Sequence, residues 1–78
     1  MTVLVNLQDV QTVQHFTQGF TDILAVYYSD GKYRSWRVPH YEESYTQRER
    51  CKQLKSAYRS IRDAIKNGEH LVEFTLDD

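Results

Sequence analysis

The sequence is poor in residues that staple a fold or break its elements. One cysteine in 78 residues cannot close an internal disulfide or supply the paired thiolates of a structural zinc site. Stability therefore has to come from a packed core, and a reducing, cytoplasmic setting is expected. One proline and three glycines leave few enforced breaks. No apolar run approaches the roughly 20 residues of a membrane-spanning helix, and no basic segment leading into an apolar stretch opens the chain. Neither a membrane span nor a signal peptide is expected. Internal repeats, low-complexity tracts and linkers are missing too.

What remains is ordinary globular composition, 40% hydrophobic and 27% charged. A chain of this length has room for a single domain over 1–78, burying about 60% of the surface its unfolded form exposes.

Met1 to Leu7 carries Val3, Leu4 and Val5 in a short apolar run that suits a strand. Asn6 then has the chemistry of a helix cap, with Asp9 in a capping-box-like position. On a helical wheel Val10, Val13 and Phe16 share one arc, opposite Gln8, Gln11, Gln14, His15 and Gln18. A short helix closed by Gly19 is predicted there. Ile23–Tyr28 and Tyr33–Val38 are β-rich, and Asp30-Gly31 between them suits a two-residue type I′ turn. That turn predicts Tyr28 opposite Tyr33, Ala25 opposite Trp36 and Ile23 opposite Val38. One face is then Ile23, Ala25, Tyr27, Trp36 and Val38. The other holds Leu24, Val26, Tyr28 and Tyr33 beside Ser35 and Arg37, and it needs a cover: the first helix, a partner, or a second copy in a homodimer.

Pro39 ends the second strand, and 39–46 reads as an irregular connection. A long helix follows, with Ser44/Gln47 and Thr46/Glu49 as competing capping boxes and Lys66-Asn67-Gly68 as the stop. His70 to Leu76 alternates, with Val72, Phe74 and Leu76 on one side, as a half-buried strand does. The fold class is α+β: a small antiparallel sheet in β-α-β-β-α-β order, packed against one long amphipathic helix in the C-terminal half.

The charge distribution is polarised. All ten lysines and arginines lie between Lys32 and Lys66, against four acids there, a surplus of six in a chain whose formal charge is -1. On the long helix Cys51, Leu54, Tyr58, Ile61 and Ile65, with Ala57 and Ala64, form the seam that buries. Arg48, Lys52, Lys55, Arg59, Arg62 and Lys66 recur with the same alternation one position later. They share an arc of about 80° and a row about 27 Å long. Such a row either lies solvated or meets an anionic partner, because lined-up cations repel one another and draw in opposite charge.

Other residues carry weaker signals. Tyr28, Tyr33 and Arg37 on the hairpin form a second candidate contact, since tyrosine buries area at low entropic cost. Tyr41, Glu42, Glu43 and Tyr45 could form a recognition loop. Cys51 with His40 or His70 lacks the third, orienting group of a nucleophilic site. No catalytic set, cofactor motif or metal motif is found. The expectation is a non-enzymatic regulatory or interaction protein, an inhibitor or adaptor of the phage or mobile-element kind, docking an acidic protein surface. The alternative is a nucleic-acid binder using the same cations with Lys32, Arg34 and Arg37, which interleave with aromatics as in single-strand platforms.

Overall fold

A computed structural model describes residues 1–39 and 44–76. His40, the acids Asp77 and Asp78, and Tyr41, Glu42 and Glu43 of the expected recognition loop lie outside the described residues, while Tyr45 of that loop is the exposed first residue of the helix. Five strands and one helix follow in the order β1 (Thr2–Asn6), β2 (Val10–Gln18), β3 (Thr21–Tyr28), β4 (Tyr33–Pro39), α1 (Tyr45–Lys66) and β5 (Leu71–Thr75). The class is α+β, with two antiparallel sheets: a meander β2-β3-β4 and a ribbon β1-β5.

The predicted first helix is strand β2, and the reason is a bulge. Val10 pairs with Tyr28, whereas Thr12 pairs with Tyr27, so Gln11 is an inserted residue. Val10 and Val13 thereby pack on the core side at a spacing of three, which imitates a helical stripe, while Phe16 falls on the opposite face. The capping chemistry of Asn6 is used in a turn instead: its Oδ1 accepts from the Gln8 N–H at 2.8 Å. Asp9 follows at a φ of 66°. Gly19 serves the β2-β3 turn as the first central residue, at a φ of 62°, as a type II′ turn requires.

The β3-β4 hairpin forms where expected, but one residue out of the predicted register. The Gly31 N–H donates to the Tyr28 carbonyl at 3.1 Å, and the Tyr28 N–H donates to the Lys32 carbonyl at 2.9 Å. Of the two turn residues only Gly31 has positive φ, 89°, so the loop is a three-residue turn ending in a glycine bulge. Asp30 supports it by accepting from the Lys32 N–H. Tyr33 therefore lies opposite Tyr27, and Trp36 opposite Leu24. A slip of one residue exchanges the faces of a strand. Leu24, Val26 and Tyr28 join Trp36 and Val38 on the inner face; Ile23, Ala25 and Tyr27 join Tyr33, Ser35 and Arg37 on the outer one.

The long helix starts and stops on its sequence signals. The Ser44 Oγ accepts from the Gln47 N–H, which selects the first of the two boxes. At the far end Glu69 N–H reaches the Ala64 carbonyl and Gly68 N–H the Ile65 carbonyl, a Schellman closure with Gly68 at a φ of 74°. The helix lies against the inner face of the meander and against β5. Leu54, Ala57, Ile61 and Ala64 meet Leu24, Val26 and Val38 from the meander, and Val3, Val5, Phe74 and Leu76 from the ribbon, in one core. Ring contact between Trp36 and Phe74, edge to face at 5.4 Å, ties the two sheets together. Val72, Phe74 and Leu76 turn inward as the alternation predicts.

Leu54 is fully buried and Ile65, at the rim of the same seam, is 38% exposed. Leu54→Ala should cost about 2–5 kcal/mol, and Ile65→Ala under about 1.5 kcal/mol. Urea unfolding followed by circular dichroism measures both.

Candidate functional site: the basic flank of the helix

The six cations of the row are all exposed on the helix. The helical period that buries the seam turns them to one flank, clear of the meander. Two have neighbours of opposite charge, both on α1: Lys52 Nζ lies 3.4 Å from Glu49 Oε1, and Arg62 Nε lies 3.7 Å from Asp63 Oδ1. The side chains of Lys52 and Arg62 remain 75% and 56% exposed, so these pairs contribute little and do not discharge the row. The Arg62 guanidinium also stands 5.6 Å over the Tyr58 ring, which directs it along the flank. Among the described residues no carboxylate lies within ion-pair distance of Arg48, Lys55, Arg59 or Lys66.

The hairpin residues do not extend this surface. Tyr28 and Tyr33 are not the cross-strand pair the two-residue turn implied. Tyr28 is half-buried on the inner face, and its hydroxyl donates to the Asn6 carbonyl at 3.2 Å. Tyr33, 63% exposed, is on the outer face with its ring 6.1 Å from that of Tyr27. Both do border a cleft of about 430 Å³ at the hairpin tip, with Lys32 and Arg34, but Asp9 and Asp30 border it too. Arg34 is exposed but engaged within the chain. It donates to the Leu4 carbonyl at 2.9 Å and covers the Trp36 ring at 4.9 Å. Arg37 is exposed on β4, away from the row.

A polar cluster that the sequence did not suggest lies between helix and sheet. His15 is on the inner face of β2, not on an exposed glutamine face, and its Nε2 is 3.8 Å from Asp22 Oδ2. Asp22 also accepts from the Thr17 hydroxyl at 2.8 Å, and the His15 ring lies 5.8 Å from that of Tyr58. Cys51 meets Asp22, not His70, as its charged neighbour. Burial pushes the thiol up from its ordinary value, and the charge and hydrogen bond of Asp22 push it further. A carboxylate that receives the thiol proton's hydrogen bond holds the sulfur protonated, the reverse of nucleophile activation. Among the described residues no three histidine, cysteine or acidic side chains are placed to hold a metal ion. No described helix is long and apolar enough to cross a membrane.

The raised Cys51 pKa fixes the sign of a pH effect. Above the ordinary thiol value of 9.0 the unfolded chain loses this proton before the folded chain does, so stability falls as pH rises beyond it. Asp22→Asn should speed alkylation of Cys51 by iodoacetamide at pH 8.5, with the fold checked by circular dichroism; an unchanged rate would remove Asp22 from the account. Comparison with protein-family models, curated proteins and solved structures finds no match, so the reading of these surfaces rests on their residues.

Proposed function

We propose that this chain is a non-enzymatic interaction protein that docks the basic flank of α1 onto an acidic surface of a larger protein, in the manner of a small inhibitor or adaptor, in a cytoplasmic setting. The observation that carries the reading is the row itself: six exposed cations on one helix flank, two of them with only weak pairing. A convex rod about 27 Å long suits a complementary protein face. Glu49 and Asp63 border the row on the same helix, and Glu69 and Glu73 are exposed just beyond it. Those carboxylates would oppose a continuous phosphate backbone but are compatible with a patchy protein surface.

The nucleic-acid reading keeps one observation in its favour. The outer face of the meander carries Phe16, Tyr27, Tyr33 and Arg37 and no acid in its strands, a composition suited to stacking bases. Trp36 does not belong to that platform, because it is turned inward against Phe74. The same face could instead seat a second copy, which light scattering would report as a dimer.

Two measurements decide between the readings. A partner recovered from source lysate after nuclease treatment should bind Lys55→Glu/Arg59→Glu at least roughly tenfold more weakly, about 1.4 kcal/mol, with the loss shrinking as salt rises. Unchanged affinity would end the proposal. Gel shifts with mixed DNA and RNA at about 50 mM salt, where phosphate contacts are strong, should show no retardation; retardation abolished by the same double variant would transfer the row to nucleic acid.

A further inference from the structure

A second positively charged place lies outside the row, at the edge of the meander. The cleft beside β4 encloses about 380 Å³ and is lined by residues 35–39 together with Met1, Leu76 and Arg50. Its described lining includes two arginines, Arg37 and Arg50, and no acidic residue.

Arg50 is the unusual member. On a helical wheel it falls in the arc of Leu54, Ala57 and Ile61, about 160° from the centre of the row, where packing alone asks for an apolar side chain. A long cation in such a place ordinarily lays its stem on the core and lifts its charged head into water. Arg50 does not complete that escape. Its Nε is withdrawn from solvent and has no hydrogen-bond acceptor among the described residues. A buried donor without an acceptor costs the desolvation of that donor, and the other arginine of the lining, Arg37 on the outer face of edge strand β4, adds positive charge at the rim. An oxyanion removes that cost, because it accepts from Nε and is drawn by both positive charges.

We propose that this cleft is a binding site for a small molecule carrying a carboxylate or a phosphate, with Arg50 as the principal donor and Arg37 as the second cation. The planar guanidinium fork matches two oxygens of either group, which is why arginine recurs at such sites. The cleft is within the roughly 300–1,000 Å³ of small-molecule sites, so it has space for more of the ligand than its charged end. This proposal does not rest on the basic flank, because neither arginine belongs to it.

The test uses the full ¹⁵N-labelled chain, following arginine Nε–Hε resonances by NMR while inorganic phosphate or, in parallel, acetate replaces chloride at constant ionic strength. The Arg50 resonance should shift to saturation with a midpoint of roughly 1–10 mM. Arg37→Gln should move that midpoint up at least about fivefold, and Arg59→Gln on the flank should leave it alone. A stronger response to phosphate than to acetate, or the reverse, identifies the preferred group. As a second readout, Arg50→Met, which keeps an apolar stem, should lose the phosphate-dependent rise in Tm. Shifts that stay linear to 50 mM, or that are equal at Arg48 and Arg59, would overturn the site. So would an Arg50 resonance that moves without added anion in a Glu42→Gln/Glu43→Gln/Asp77→Asn/Asp78→Asn variant, since the chain's own carboxylates would then be the occupant.

Discussion

Aliphatic contact between one helix and one face of one sheet holds this chain together, and the placement of every charged surface follows from it. Leu54 and Ile61 on α1, and Leu24 and Val26 on β3, are fully or almost fully withdrawn from water. Each such side chain contributes about 1.5–3 kcal/mol. With a single helix among the described residues, only one face of the meander is closed in this way. The ribbon β1-β5 completes the same core from the side. Ile23 and Ala25, on the outer face, are buried at 3% and 2% exposure with no described layer above them. Their cross-strand neighbours Phe16, Gln14, Arg37 and Ser35 screen them, as flanking side chains do for the middle strand of a sheet.

The helix was legible because its period, its cap and its stop are all written in local residues. Ser44 with Gln47, the seam and Asn67-Gly68 agree with one another, and the structure follows them, with Ile65 alone of the seam left exposed at its end. Strand β5 was legible by alternation, and β1 as a short apolar run. What failed in β2 and in the hairpin register had one cause: an extra residue in a strand changes which side chains share a face without changing composition. Gln11 makes Val10 and Val13 look helical, and Gly31, which serves either a two-residue or a three-residue turn, leaves the register ambiguous by one. Nothing local distinguishes those cases. The difference is decided by which faces of β3 and β4 can be buried together under α1.

The same division applies to the sites. The basic row is a property of helical period, so counting residues was enough to place it. The β4 cleft depends on β4, the start of β1, the end of β5 and the first turns of α1 meeting in space, and no sequence spacing predicts that meeting. Arg50 still left a trace: a charge inside the apolar arc of an amphipathic helix is a residue that packing does not explain. His15 and Asp22 left none, since their partners Thr17, Tyr58 and Cys51 come together only through the sheet register and the crossing of the helix.

Net charge is a poor guide to what this molecule presents to a partner. A formal charge of -1 averages over a body 37 Å long, whereas at physiological salt a surface charge is felt over about 8 Å. The acids of the β1-β2 turn and the hairpin tip, Asp9 and Asp30, belong to the cleft at that end of the sheet. Asp22 is occupied within the helix-sheet interface. Among the described residues Glu49 and Asp63 lie within ion-pair distance of the row, and both remain open to water. The helix flank therefore keeps a positive local potential in a nearly neutral chain. Repulsion along it, a few tenths of a kcal/mol for each neighbouring pair, is borne by the core beneath rather than relieved by the described carboxylates.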